Sequence, residues 1–253
     1  MRYAGFRGPL EHVARTHPAY GYRRTTTELL EGAGVVVSPK VVQRLHQLWD
    51  LPLLRRTHVP RPSAVRAAIT RAGAFANLVA TLDPIAPLAV SYTDCTELRY
   101  ATGKAWLITR LDHGSKVVAG WALGAHADRA LALAAWRRAR TWLPRHGHPV
   151  AGIIVHQDRD PVFTSYAWTG QLLLRDQVRL SYALLGCRDN PEMESFHSRF
   201  KSENRSLFLD APTLADLERL VAQRLTYYNG RRRHSSWRNQ PPLAYLRGLA
   251  QPG

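Results

Sequence analysis

The chain has 253 residues, of which 45% are hydrophobic, enough for one sizeable core with a small satellite domain and too many for a wholly disordered chain. Its formal net charge of +16, from 35 Lys and Arg against 19 Asp and Glu, exceeds what solubility needs and favours a polyanionic partner such as nucleic acid over a merely basic surface. The two cysteines, Cys95 and Cys187, form no CxxC pair, which speaks against a zinc knuckle or a disulfide framework and suits a reducing cytoplasm.

The opening "MRYAGFRGPLEHVARTHP" has no continuous apolar run and does not read as a secretory signal. Residues 1–56 read as a small helical unit. "YRRTTTELLEGAG" supplies one helix ending at Gly32 and Gly34, and "SPKVVQRLHQLWDL" restarts with Ser38 as N-cap and Pro39 at the first helical position. In the second helix Val41, Leu45, Leu48 and Trp49 are expected on one face, with Lys40, Gln43, Arg44 and Gln47 on the other. Two helices joined by a short glycine turn suit a helix-turn-helix whose second helix enters a major groove, with Lys40 and Arg44 as DNA contacts; a plain helical hairpin accounts for them equally well.

Residues 57–86 are expected to form a linker and helix, following on from the basic, proline-broken run of Arg55, Arg56, Pro60, Arg61 and Pro62. Within "AFANLVATLDPIAPLAV", Asp83, Pro84 and Pro87 interrupt the apolar run too often for a membrane span. From Leu88 onward "LAVSYTD", "AWLITRLD" and "KVVAGWAL" predict three antiparallel strands. A helix from Asp128 to Leu143, a buried strand "GIIVHQD", a helix over 165–175, a strand "VRLSYA" and a helix beginning near Asp189 complete the order βββαβαβα. The fold class expected is α/β, a mixed sheet flanked by helices over residues 87–212, followed by a C-terminal helix and basic tail over 213–253.

Three acids carry the chemistry. Asp94 closes the first strand, Asp158 ends the central strand, and Glu194 sits on the helix in "DNPEMESF". Strand ends in such sheets open onto a crevice, so neighbouring strands would bring Asp94 and Asp158 together with Glu194 above them. Carboxylates gathered in one cleft repel unless protonated or bridged by cations. Mg²⁺ or Mn²⁺ is the natural partner, expected as two ions flanking a phosphodiester.

The strings "TDCTE", "HQDRDPVFTS", "DNPEMESFHSRFKSE" and "YYNGRRRHSSWRNQPP", in this order and spacing, resemble the DDE transposases of bacterial insertion sequences, relatives of retroviral integrases on the ribonuclease H-like fold. The resemblance is to the OrfB-type catalytic protein of elements with two overlapping reading frames, and it extends to the N-terminal helix-turn-helix segment. It implies that Asp94, Asp158 and Glu194 form the catalytic, metal-binding triad. It further implies strand cleavage and strand transfer on transposon ends and target DNA by a homo-oligomer, a nucleoid-associated cytoplasmic location in a bacterium, and an OrfA-type partner or a frameshift fusion. A DNA-binding protein with an unused triad and a purely hydrolytic ribonuclease H-like nuclease are the rival readings.

Flanking residues follow from helical and strand geometry. Lys201, seven residues after Glu194, shares its face and is expected to meet DNA. His197 and Ser198 lie one turn from Glu194 and, like His156 two residues before Asp158, are candidates to orient the acids, with a satisfied core histidine the equal alternative for His156. Glu192 is expected to face elsewhere, and Met193 to pack. Asn190 and Asp189 read as helix caps, and in the resemblance they form its DN pair. Gln157 and Asp160 stand where the family more often has Ser and Gly, so Asp160 is a fourth acid beside the site, expected either to alter metal affinity or simply to face solvent. Arg231, Arg232 and Arg233 are expected to track a DNA backbone or to be a solvated helix end.

Overall fold

A computed structural model describes residues 3–51, 63–184 and 190–249 of the chain. The expected linker residues Arg55, Arg56, Pro60, Arg61 and Pro62, together with Cys187 and Asp189, lie outside the described residues. The chain divides into two compact units, Met1–Arg61 and Pro62–Gly253.

The first unit contains three helices, α1 (Arg7–Thr16), α2 (Tyr22–Ala33) and α3 (Pro39–Leu48). Gly34 ends α2 in the left-handed region at φ 62°, a conformation that costs glycine little, and the Val35 N–H returns to the Leu29 carbonyl. Leu10, Val13, Leu29, Val42 and Leu45 form its core. α1 is an addition to the expected helix pair; Gly8 and Pro9 in its first turn conceal it in the sequence. The buried face of α3 also differs from expectation. Val42 and Leu45 are buried, Val41 and Trp49 half-buried, and Leu48 is 69% exposed, because the buried arc centres on the 42/45/49 spacing and Leu48 lies at its margin. Lys40, Gln43, Arg44 and Gln47 are exposed, on the polar face expected of them.

The second unit starts with α4 (Ala64–Ala72), whose N-cap Ser63 accepts from the Arg66 N–H. Five strands follow: β1 (Val90–Tyr100), β2 (Gly103–Asp112), β3 (Val118–Gly124), β4 (Ile154–Gln157) and β5 (Arg179–Tyr182), in the spatial order β3-β2-β1-β4-β5. β1 pairs antiparallel with β2 and parallel with β4, giving the mixed sheet the sequence predicts. One face packs against α7 (Pro191–Leu209) and α8 (Leu214–Gly230) through Val90, Tyr92, Leu107, Phe196, Leu217 and Val221. The other packs against α5 (Arg129–Arg145) and α6 (Tyr166–Thr169, continued as a π-helical turn to Arg175) through Ile108, Val155, Trp136 and Trp168. α8 buries Leu217, Val221, Leu225 and Tyr228. The described parts of the segments expected separately, residues 63–86 and 213–249, include Leu78, Val79, Ile85, Leu217 and Val221, which pack into the same core as the sheet.

Three details set the sheet's geometry. Asp112 organises the β2–β3 connection by accepting from the Leu88 N–H at 2.8 Å and from both the Ser115 N–H and hydroxyl at 2.6 Å. Gly120 allows α5 to lie directly on β3, since a Cβ there would stand 2.5 Å from the Ala135 carbonyl oxygen. At the β3 edge Asn229 of α8 uses its side-chain amide as a strand would, accepting from the Val118 N–H and donating to the Val118 carbonyl, both at 2.9 Å.

Candidate active site

Asp94 and Asp158 are brought to the same end of the sheet. The parallel register couples Tyr92 to His156, so each acid stands two residues beyond a paired position; Asp158 directly follows β4, whereas Asp94 lies within β1, which runs on to Tyr100 and does not close at Asp94 as the sequence suggested. Burial pushes the Asp94 carboxyl up to about 6, against the pull of the Cys95 N–H at 2.7 Å, and the charges of Asp158, Asp160 and Glu194 push it further. Asp158 is raised by burial, offset by the Asp160 N–H it accepts at 3.0 Å, and by the charge of Asp160. The three acids named from the sequence thus share one electrostatic environment with Asp160 as a fourth. Cys95 is pushed up to about 12 by burial and by the same acids, which keeps its thiol protonated.

A cleft of about 850 Å³ runs along β1 and α7, lined by Asp94, Glu97, Glu194, His197, Ser198 and Lys201 among others. Asp158 is not among its lining residues. Glu194, Ser198 and Lys201 meet the cleft because residues at intervals of three and four lie along one helical face. Met193 is wholly buried in the core beneath.

The flanking residues separate into different roles. His197 is buried; its Nε2 lies 2.8 Å from the Thr109 hydroxyl and its Nδ1 3.8 Å from Asp94 Oδ2. Asp94 and Thr109 are themselves cross-strand partners, so the imidazole spans a ready-made pair. Burial, and then the Lys201 charge, push His197 down to about 3, so it is a neutral strut. Thr109 was invisible to sequence reasoning because only the β1–β2 register makes it a neighbour of Asp94.

His156 does not line the cleft. It is fully buried below Asp158, with Nδ1 2.8 Å from the Ser181 hydroxyl and its ring edge-on to Tyr92 at 5.3 Å. Gln157 points to the opposite face of the sheet and accepts from Trp168 Nε1 at 3.0 Å. Asn190 occupies the N-cap position of α7, but its side chain makes no capping bond; Oδ1 is buried without a partner among the described residues, which corrects the expected side-chain cap. Glu192 turns away to Lys116 at 2.7 Å.

The tail arginines also differ from one another. Arg231 is exposed. Arg232 is held by Glu203, Nε to Oε2 at 2.8 Å, and lies over the Tyr228 ring, so this member of the expected DNA-contacting run is largely engaged in tying the tail to α7. Arg233 donates to the Asn239 carbonyl at 3.0 Å.

The acids whose charges act on Asp94, namely Asp158, Asp160 and Glu194, offer carboxylate oxygens, the ligands that hard divalent cations such as Mg²⁺ or Mn²⁺ favour. Among the described residues, however, no three His, Cys, Asp or Glu side chains are gathered at metal-ligating spacing.

Residues 184–242 match the family described as "Integrase core domain". The chain is similar to a probable transposase for insertion sequence element IS1353 of Shigella flexneri, 30% identical over 236 residues that make up 89% of this chain and 43% of that protein. It is also similar to a 31 kDa protein of insertion element IS600 of Shigella sonnei, 26% identical over 91% of this chain and 82% of that protein. Transposase InsF for insertion sequence IS3fB of Escherichia coli K12 is 34% identical over 44% of this chain and 37% of its own length. The chain therefore spans less than half the length of the first and third of these relatives. Two structures of the HTLV-2 integrase catalytic core domain in complex with magnesium, in dimeric and trimeric forms, share the fold, with TM-scores of 0.51 and 0.52 and identities of 18% and 17%. Each covers 64% of this chain and 98% of that one.

Proposed function

We propose that this chain, whose residues 184–242 match an integrase core domain and which is similar to insertion-sequence transposases, is a polynucleotidyl transferase that cleaves DNA at the ends of an insertion sequence and joins them to a target. The observation that carries the proposal is the placement of Asp94 and Glu194 on one cleft with Asp158 following the neighbouring strand, where burial, and then the charges of Asp158, Asp160 and Glu194, raise the Asp94 carboxyl.

In this reading Asp94, Asp158 and Glu194 hold Mg²⁺ or Mn²⁺, expected as two ions. Such ions, when bound, activate a water or 3′-hydroxyl and stabilise the leaving oxygen of a phosphodiester. The remaining work falls to the chain's own side chains. His197, fastened to Thr109, borders the Asp94 carboxylate, which accepts from the Cys95 N–H. Lys201 offers an ammonium to a backbone phosphate in the same cleft as Glu194. Lys40, Arg44, Arg231 and Arg233 add sequence-blind attraction to DNA, in keeping with the +16 net charge. Action as a homo-oligomer on two ends, and cooperation with an OrfA-type partner, belong to the same proposal.

The test incubates the protein with Mn²⁺ and labelled element ends, comparing wild type with Asp158→Ala. Nicked and joined products from wild type alone are expected. Identical products from both proteins refute the site, and nicking without any joined product favours a hydrolytic nuclease instead.

A further inference from the structure

A second pocket, of about 300 Å³, flanks α7 away from the Glu194 cleft. It is lined by Ser195 and Arg199 of α7, by Lys116 from the β2–β3 connection, and by Arg232, Ser236 and Trp237 of the tail. Ser195 and Arg199 each follow a cleft residue, Glu194 and Ser198, by one position, so they project about 100° further round the helix. One helix thus presents two concave sites side by side.

Charge and hydrogen bonding in this pocket are unbalanced in a consistent direction. Lys116 is neutralised by Glu192 at 2.7 Å, and Arg232 by Glu203. Arg199 is exposed and has no ion-pair partner among the described residues. Trp237 Nε1 is buried and finds no acceptor among the described residues. The exposed hydroxyls of Ser195 and Ser236 likewise make no hydrogen bond among them. One uncompensated guanidinium, one orphaned indole donor and two hydroxyl donors around a small cavity match a tetrahedral monoanion with several acceptor oxygens.

We propose that this pocket binds a backbone phosphodiester of the same DNA strand that enters the Asp94–Glu194 cleft, and so sets how far the strand advances. The proposal rests on the DNA-processing reading above.

The test measures binding of a fluorescent duplex with a 3′ overhang, of arbitrary sequence, across a salt series for wild type, Arg199→Ala and Ser195→Phe. Arg199→Ala removes the charge, whereas Ser195→Phe fills the cavity at unchanged charge. Both variants are checked for an unaltered melting temperature. We expect each to bind about tenfold more weakly and to lower the slope of log K against log salt by about 0.9, the loss of one phosphate contact. Wild-type binding that neither variant alters overturns the pocket and leaves the DNA reading standing. A fall in Arg199→Ala with none in Ser195→Phe reduces the effect to diffuse surface charge and also overturns it. Failure of wild type to bind DNA at any salt overturns both readings. Inorganic phosphate at matched ionic strength distinguishes a free anion: if it stabilises wild type but not Ser195→Phe, while DNA affinity is equal in both, the pocket belongs to free phosphate and not to DNA.

Discussion

The imidazole of His197 and the hydroxyl of Thr109 meet at 2.8 Å inside the protein, which fastens α7 to β2 immediately beside Asp94. The acid on the strand and the acid on the helix are thereby held by one buried bond that neither supplies.

Replacing His197 with Phe keeps the volume and leaves the Thr109 hydroxyl without its partner. Stability should fall by about 1–3 kcal/mol in urea titrations. DNA cleavage should slow at least tenfold, a larger loss than any in DNA affinity, because His197, although it lines the cleft, is buried beside Asp94. His197→Gln, which retains a donor and an acceptor, should recover part of the rate. Equal losses in both variants would make the residue a packing element only.

Asp94 predicts an inverted pH response. Its carboxyl titrates near 6 in the folded protein against an ordinary value of 3.8, so the folded state holds the proton more tightly than the unfolded state. Between those values stability should fall as pH rises, with a penalty on the order of 2–3 kcal/mol complete above pH 6. Asp94→Asn removes the penalty. Its melting temperature should exceed that of wild type at neutral pH, and adding Mg²⁺ should raise the wild-type temperature while leaving the variant unmoved. A wild type that is indifferent to Mg²⁺ and Mn²⁺, with or without DNA, would favour an unused triad.

Arg110 of β2 is fully buried, stacks at 4.4 Å over the Trp136 ring, and has no hydrogen-bond partner for any of its three guanidinium nitrogens among the described residues. A charge in that state is costly. Arg110→Met should preserve the contact with Trp136 and stabilise the protein by about 1–4 kcal/mol, seen as a higher denaturation midpoint. A destabilised Met variant would mean that the guanidinium has a partner in solution.

Gly120→Ala should destabilise by about 3 kcal/mol or more. The added methyl would meet backbone atoms of α5, the Ala135 carbonyl at 2.5 Å and the Ala139 nitrogen at 2.7 Å, and backbone yields less readily than a flexible side chain. An unchanged urea midpoint would show that α5 slides freely on the sheet.

Much of this arrangement was legible in the sequence because it is written in short-range signals. Alternating and continuous apolar runs located the strands and the central buried one. The helical interval placed Glu194, Ser198 and Lys201 on one surface, and a strand end marked Asp158, whereas Asp94 lies within a strand that runs six residues further than its apolar alternation suggested. Relationships that depend on register or on partners far along the chain were not legible. Thr109 becomes important only when β1 lies against β2. His156 has the same strand parity as Asp158, yet the depth of the sheet gives it Ser181 instead of the cleft. Arg232 looks like its neighbours in an arginine run until Glu203, 29 residues earlier, takes it up. Asn190 has the composition of a helix cap without the bond, since composition reports preference and not the direction in which a side chain finally points.

The side chain of Asn229 has a consequence for the protein's behaviour in a crowded cell. An outer strand ordinarily offers its free amide and carbonyl groups to any passing extended peptide, and long basic chains are concentrated wherever DNA is. By occupying both groups of Val118, Asn229 withdraws one such docking point from the β3 margin. Copies of the chain at high local concentration are thus left with one fewer free backbone pair through which to zip together edge to edge.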